Sequence, residues 1–90
     1  MEYDYILIFS NTHNAINCEK VLINYNIDVT VLPTPSNISN SCGISIGIYK
    51  NDFDKVKKFI LNKNISIKFI YDIKNNSILN SFWFLFIKMV

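Results

Sequence analysis

The sequence predicts one small α+β domain in which strands and helices follow the order βαββαβ. Half of the 90 residues are apolar, which is enough for a single hydrophobic core. Segments in which apolar residues recur every second position are interrupted by two segments with helical spacing. The chain has only two Gly and two Pro, and both prolines lie at the end of a predicted element or in a loop.

The first half of the chain is predicted to form strand, helix and strand. Residues 5–9 are an apolar run that stops at a polar cluster able to cap a helix. Residues 12–25 carry an apolar stripe at steps of three and four, typical of a helix packed on a sheet. Residues 28–32 are rich in β-branched side chains and are closed by Pro33. The polar cluster is Ser10, Asn11 and Thr12, and the stripe is Ala15, Cys18, Leu22 and Tyr25. Asn26 is the expected C-terminal stop of this helix.

The second half repeats the pattern after a long polar loop, residues 34–42. Residues 44–48 alternate Ile with small residues, as a half-buried strand does. A second helix is expected from an Asn51 cap to about residue 64, and a fourth strand over residues 65–72. With right-handed crossovers, this order predicts a ferredoxin-like sandwich with a four-stranded antiparallel sheet and two helices on one face.

An apolar tail lies outside this pattern. We therefore expect a domain at residues 1–73 and a tail at residues 74–90, apolar from residue 78 onward. Thirteen residues are short for a membrane-spanning helix, which needs about twenty. In order of preference, the tail covers the open sheet face, pairs with a second chain in a homodimer, or lies at a membrane surface.

Composition excludes several functional classes. A net charge of +2, dispersed among acidic residues, does not suggest nucleic-acid binding. The N-terminus lacks the features of a signal peptide, so the expected compartment is the cytoplasm, where cysteines stay reduced. Two Cys and one His without metal-ligand spacing predict no metal site, and no phosphate-binding glycine loop or other cofactor motif is present.

Chemistry, if present, is expected at Cys42. In the predicted topology the loop that ends at Cys42 lies near the N-terminus of the first helix, whose dipole favours a thiolate. His13 in the first turn could donate a hydrogen bond or proton to a sulfur species there. Gly43 would leave room for a partner, although a glycine or a cysteine in a loop is often incidental. Cys18, by contrast, is expected in the core.

Two segments carry a resemblance to a known family. They are Tyr5-Ile-Leu-Ile-Phe-Ser-Asn-Thr-His-Asn-Ala and Leu32-Pro-Thr-Pro-Ser-Asn-Ile-Ser-Asn-Ser-Cys-Gly-Ile. The chain resembles, over about residues 3–72, a small bacterial family described as Putative Se/S carrier protein-like. The most specific parts of the resemblance are the Thr-His at the helix start and the segment that runs from Pro-x-Pro to Ile-Ser-x-Ser-Cys-Gly.

The resemblance implies a carrier that holds sulfur or selenium on Cys42, as a persulfide or selenopersulfide, for transfer to an acceptor. Its partners would be donor and acceptor proteins, and it would not be a stand-alone enzyme. His13 would support the thiol, and Thr12, Ser41 and Gly43 would shape the site. The alternatives are a non-catalytic interaction or regulatory module that uses the open sheet face, and a redox pair of Cys42 with Cys18.

Overall fold

The computed structural model describes residues 3–39, 43–62 and 65–79. Within these ranges the chain forms five strands, two α-helices and a short 3-10 helix. The strands are β1 (Tyr5–Ile8), β2 (Val29–Pro33), β3 (Ile44–Ile48), β4 (Phe69–Asp72) and β5 (Ser77–Leu79). The helices are α1 (Thr12–Asn24) and α2 (Phe53–Asn62), and the 3-10 helix Lys50–Asp52 leads into α2.

The strands form one open sheet in the order β2-β3-β1-β4-β5, and every neighbouring pair is antiparallel. β1 lies at the centre, where Leu7 faces Ile46 of β3 and Ile70 of β4. The predicted α+β class, the two helices and the antiparallel sheet are therefore confirmed. The predicted number of four strands is wrong, because a fifth strand pairs with β4.

β5 follows a turn built from asparagines. The backbone N–H and the side-chain amide of Asn75 donate to the Asp72 carboxylate, at 3.2 and 2.7 Å. Asn76 has a φ of 50°, a left-handed conformation that asparagine adopts more readily than most residues. The turn reverses the chain, so the first apolar residues of the predicted tail add an edge strand to the sheet.

β4 begins at Phe69, four residues later than the alternation of residues 65–72 predicted. Its partner β1 ends at Ile8, which pairs with Phe69 and accepts the N–H of Lys68 at 2.7 Å. In the described sheet, residues 65–67 consequently have no strand beside them. Ile65 packs into the core instead, with 5% of its surface exposed.

α1 begins and ends at polar residues, as predicted. Asn11 is the N-cap, and its side-chain oxygen accepts the N–H of Asn14 at 2.9 Å. Asn26, with a φ of 59°, turns the chain out of the helix after Tyr25. Asn51, predicted as the cap of the second helix, is not a cap, because it lies inside the 3-10 helix that precedes α2.

Both helices pack on the same face of the sheet, here called the helix face. One cluster of buried side chains contains residues of α1, α2 and alternate positions of the strands. Two aromatic pairs flank this core: Tyr5 stacks on Phe53 with ring centroids 4.4 Å apart, and Tyr25 stacks on Phe59 at 4.3 Å. Tyr25, predicted on the buried stripe of α1, is 45% exposed, because it follows the last residue of the helix. The strand members of the cluster are Leu7, Ile46, Ile48 and Ile70; the helix members are Ala15, Cys18, Leu22, Val56 and Ile60.

The opposite face of the sheet, here called the second face, presents the other alternate positions. Ile6 and Ile8 of β1 point there, since Leu7 between them belongs to the helix-face core. Gly47 of β3 lies beside Ile6, and a Cβ atom added to it would approach the Tyr3 ring to 2.8 Å. The Tyr3 ring therefore lies directly over the Gly47 backbone.

Candidate functional site

The predicted site belongs to the end of the sheet at which α1 begins, here called the α1 end. β1 and β2 finish there, at Ile8 and Pro33, and β3 and β4 start there, at Ile44 and Phe69. α1 packs on β2 and β3 and begins four residues after β1 ends, so its N-terminus lies at the same end. This arrangement follows from the antiparallel register alone.

Gly43 is the described residue nearest in sequence to the predicted thiol. Its carbonyl accepts the N–H of Thr34 at 3.1 Å, which continues the β2–β3 ladder by one residue. The last β1–β3 pair joins Leu7 and Ile46, three residues before Ser10 and three residues after Gly43, so both residues lie at the α1 end. Ser41 and Cys42 lie outside the described residues.

The fold does not itself require a glycine at position 43. Its φ is not positive, and no described atom lies within 4 Å of the place where a Cβ would stand. Gly43 is also exposed. Gly47, four residues further along the chain and inside β3, differs from Gly43. There the neighbouring side chains leave no room for a Cβ atom.

Thr12 and His13 form the first turn of α1, and both are exposed. The Asn11 cap binds the N–H of Asn14, and the Asn11 carbonyl accepts the N–H of Ala15 at 3.4 Å. The positive end of the helix dipole is thus directed toward the α1 end, and no acidic residue occupies the first turn to neutralise it.

Acidic side chains are concentrated at the other end of the sheet. Of the acidic residues within the described ranges, five aspartates lie at the end where β1 begins, and Glu19 lies about 10 Å along α1 from its start. Lys68 lies at the α1 end, where its N–H is bound to Ile8. The α1 end therefore favours a negative charge. The five aspartates are Asp4, Asp28, Asp52, Asp54 and Asp72.

Thr34 is a residue that the sequence analysis did not single out. Its hydroxyl oxygen is buried and has no hydrogen-bond partner among the described residues. A buried polar atom without a hydrogen-bond partner lowers the free energy of unfolding by about 1–3 kcal/mol. Thr34 is bonded to Gly43 through its backbone, so this hydroxyl belongs to the same end of the sheet. The sequence signal that could have identified Thr34 is its position between two prolines, Pro33 and Pro35.

Cys18 is part of the core, as predicted. It is fully buried in the cluster beneath α1, and burial raises the pKa of its thiol to about 12. The Cys18 thiol therefore stays protonated at neutral pH. A buried, protonated thiol is a poor nucleophile and a poor redox partner.

We expect Cys18 to resist alkylation in the folded protein. At pH 8 a thiol with a pKa of about 12 is roughly 0.01% thiolate, against roughly a quarter for a free cysteine. Iodoacetamide labelling followed by peptide mass spectrometry should modify Cys18 at least a hundredfold more slowly than in urea-unfolded protein. Equal rates in the two states would contradict the burial of Cys18.

The opposite end of the sheet contains a polar cleft, and its carboxylates accept hydrogen bonds from the backbone of neighbouring segments. Asp4 accepts the N–H of Lys50 at 2.7 Å, and Asp72 holds the Asn75 turn. Burial, and secondarily the Asp72 charge, raises the pKa of the neighbouring Tyr5 hydroxyl. No group of three or more His, Cys, Asp or Glu within the described ranges is arranged to hold a metal ion.

The fold and this end of the sheet define a small α+β domain with one core, in which the described acidic side chains lie away from the α1 end. Comparison with protein families matches residues 4–72 to the family described as Putative Se/S carrier protein-like. The chain belongs to that family, and the resemblance noted in its sequence is confirmed. The match runs from the residue before β1 to the end of β4, and β5 lies beyond it.

No curated protein and no solved structure matches the chain significantly. None of the helices in residues 3–39, 43–62 and 65–79 is long and apolar enough to cross a membrane.

Proposed function

We propose that this protein is a sulfur or selenium carrier that holds a persulfide or selenopersulfide on Cys42. The observation that carries the proposal is the position of Gly43, which is next in sequence to Cys42. Gly43 lies at the end of the sheet where α1 begins, and no acidic residue of the described ranges lies there. Membership of the Se/S carrier family indicates the cargo.

The start of α1 favours the anionic form of a nearby sulfur. A helix N-terminus stabilises a neighbouring anion by about 0.3–1 kcal/mol. We therefore expect the pKa of the Cys42 thiol to lie below its ordinary value of about 8.5, which raises the thiolate fraction at neutral pH. α2 ends at this end of the sheet as well, but α1 is the helix that packs on β2 and β3.

Loading is a redox-neutral exchange. The Cys42 thiolate attacks the terminal sulfur of a donor persulfide, R–S–SH. A new bond forms between the Cys42 sulfur and that terminal sulfur, the donor S–S bond breaks, and the donor leaves as its thiolate. An acceptor thiolate then attacks the terminal sulfur of Cys42 and regenerates the Cys42 thiolate. A selenopersulfide follows the same steps with selenium as the terminal atom.

Residues around Cys42 have supporting roles in this proposal. His13 donates a hydrogen bond or a proton to the terminal sulfur or selenium anion. Thr12 and Ser41 shape the site, and Gly43 leaves the approach to the sulfur open, consistent with the empty surroundings of its Cβ position. Donor and acceptor proteins approach from the α1 end, in the cytoplasm.

The Thr34 hydroxyl is a further candidate to stabilise the carried group. We expect Thr34→Val to leave the free energy of unfolding unchanged or to raise it, because it removes a buried hydroxyl without a described partner. The persulfide on Cys42 should nonetheless decay several-fold faster. Urea unfolding and timed mass spectrometry of loaded protein measure the two effects.

Thr30→Val is the matched control, because this substitution makes the same chemical change at an exposed position of β2. It should alter neither stability nor persulfide lifetime appreciably. A loss of more than about 1 kcal/mol in Thr34→Val would show that the hydroxyl has a structural partner. An unchanged lifetime would remove Thr34 from the site.

The carrier function is tested by loading and transfer. The reduced protein is incubated with a low-molecular-weight persulfide or selenopersulfide and its intact mass is measured, then again after addition of a thiol acceptor. We expect a gain of one sulfur or one selenium atom at Cys42, which the acceptor removes. Failure of both donors to load the protein would overturn the proposal, and a difference between their rates identifies the preferred element.

The strand order also supports a more specific assignment of the fold. We propose that β1 to β4 and the two helices form a ferredoxin-like unit, extended at one edge by β5. The order β2-β3-β1-β4 with antiparallel neighbours is the one expected for that unit. The alternative of an interaction module needs a free second face, and the burial of Ile6 and Ile8 on that face does not favour it.

A further inference from the structure

β2 is an edge strand with hydrogen-bonding groups that point away from the sheet. In the order β2-β3-β1-β4-β5, the described strands lie on one side of β2 only. Thr34 donates its N–H to Gly43, so the even-numbered residues of β2 bond to β3 and the odd-numbered ones point outward. The outward groups are the N–H and carbonyl of Val29 and Val31 and the carbonyl of Pro33. Since proline has no N–H, its outward position removes no bond to β3.

One side of α1 carries exposed apolar side chains beside this edge. Ile16 and Ile23 are 41% and 54% exposed, and they are seven residues apart, which places them on the same side of the helix. Tyr25 lies about 180° round the helix from Ile16 and stacks on Phe59 of α2. The exposed side of α1 is therefore turned away from α2. Because α1 packs on β2 and β3, this side lies next to Val31, which is on the helix face and is 39% exposed.

The β2 edge is self-complementary when two copies of the chain pair antiparallel. With Val31 of one chain opposite Val31 of the other, these residues exchange both of their N–H···O=C bonds. Val29 of each chain then donates its N–H to the Pro33 carbonyl of the other chain. Every outward N–H of β2 is thereby bonded. A two-fold axis perpendicular to the sheet relates the chains and keeps both α1 helices on one face of the combined sheet.

The same axis brings the two α1 helices to packing distance. Each α1 packs on β2 and β3, so the two helices lie about two strand spacings, or about 9–10 Å, apart. Packed helices are separated by about 8–10 Å. The helices run antiparallel, so Ile16 of one chain meets Ile23 of the other, and Glu19 of one chain meets Lys20 of the other. One register satisfies both pairs, because each is centred on the same point between Glu19 and Lys20.

We propose that this protein forms a homodimer in which the β2 strands pair antiparallel into one continuous sheet and the exposed sides of α1 pack on each other. The interface is small, and small interfaces are typical of weak complexes, so the dissociation constant is expected in the micromolar range. The α1 ends of the two chains point in opposite directions, and each chain keeps its own site. The inference does not depend on the carrier function.

Sedimentation equilibrium of the full-length protein tests the association. The mean mass should rise from that of one chain toward that of two as the protein concentration passes through the micromolar range. A mass of one chain at every concentration up to the millimolar range would overturn the proposal.

Lysine substitutions at neighbouring positions of α1 test the surface. Ile16→Lys places a charge in the apolar contact, and Asn17→Lys adds the same charge at an exposed position turned away from the β2 edge. We expect Ile16→Lys to raise the dissociation constant at least about tenfold, because the charge loses its water, and Asn17→Lys to change it less than about twofold. Circular dichroism should show that both variants are folded. Equal effects of the two substitutions would assign the association to another surface.

A charge exchange tests the register of the helices. Lys20→Glu places a carboxylate opposite Glu19 of the other chain, and the dissociation constant should rise several-fold at low salt. The double variant Glu19→Lys, Lys20→Glu restores the attraction and should recover the wild-type constant. A double variant that binds as weakly as the single variant would contradict this register.

Introduced cysteines test the pairing of β2, in the Cys42→Ser background and with Cys18 protected by its burial. The Cα atoms of a hydrogen-bonded pair are about 5.5 Å apart, within the disulfide range of about 4.4–6.8 Å, so diamide should link two chains of Val31→Cys. Thr30→Cys is the control, because position 30 would lie opposite Leu32 of the other chain and should not link to its own copy. Failure of Val31→Cys to link, or linkage through Thr30→Cys, would overturn the proposed pairing.

Discussion

Cys42→Ser is expected to abolish loading of the protein with sulfur or selenium. A serine hydroxyl is not ionised at neutral pH and does not form the S–S or S–Se bond on which the carrier depends. After incubation with a persulfide or selenopersulfide donor, intact mass spectrometry should therefore detect no added atom, whereas most of the wild-type chains carry one. The fold should be unaffected, as measured by circular dichroism and the midpoint of thermal unfolding.

Cys18→Ala is the control for this experiment. It removes the other cysteine, which is buried and protonated, so loading at Cys42 should persist at the wild-type level. A small loss of stability is expected, because the substitution leaves a cavity beneath α1. Loading that survives in Cys42→Ser and disappears in Cys18→Ala would contradict the assignment of the thiol.

Gly47→Ala is expected to destabilise the protein by up to about 2.5 kcal/mol net, because forcing an extra carbon into a packed site usually costs about 1–3 kcal/mol. The added Cβ would lie 2.8 Å from Cγ of Tyr3 and 3.0 Å from a methyl carbon of Leu32. Alanine's better strand propensity, worth about 0.5–1 kcal/mol, does not offset this contact. A domain of 90 residues has a total stability of about 5–14 kcal/mol. The thermal midpoint should fall by up to about 20 °C.

Gly43→Ala provides the matched control at the other end of β3. No described atom lies within 4 Å of its Cβ position, and its φ suits alanine. We expect a change in stability within about 0.5 kcal/mol, or a small gain from the less flexible unfolded chain. Equal destabilisation by the two substitutions would mean that Tyr3 does not lie over Gly47. Slower loading in Gly43→Ala would support its role in access to Cys42.

Local patterns in the sequence were sufficient to predict most of the fold. The apolar stripe through Cys18 and Leu22 predicted α1 and its buried side, and Asn11 is the cap that the polar cluster suggested. The alternation of Ile44, Ile46 and Ile48 predicted β3 and its core face. These signals are local, because one side chain every two or four residues must be buried for the element to pack at all.

The errors arose where a partner strand decides the outcome. The alternation at Ile65 and Ile67 resembles a strand, yet β1 is too short to pair with it. β5 is three residues long, below the length at which alternation is informative, and its signal was the turn at Asn75 and Asn76. Pairing depends on the length of a distant strand, and single-segment patterns do not contain that information.

The location of the site at one end of the sheet could be predicted, because it depends only on the order of the strands and helices. The order of strands brings the start of α1 and the start of β3 to one end of the sheet, where His13 and Gly43 lie. The separation of acidic residues from that end, and the buried hydroxyl of Thr34, emerge only when the chain is folded. Both depend on contacts between segments far apart in sequence. The predicted roles of Cys42 and Ser41 fall on positions outside the described residues and remain predictions.

The most direct test of the carrier account is the pKa of the Cys42 thiol in the folded protein, measured from the pH dependence of its alkylation rate by peptide mass spectrometry. Because a helix N-terminus stabilises a thiolate, the account predicts an inflection below the free-thiol value of about 8.5 at low ionic strength. Added salt should move the inflection upward, since it screens the helix dipole. An inflection at or above about 8.5 in the folded protein would contradict the account.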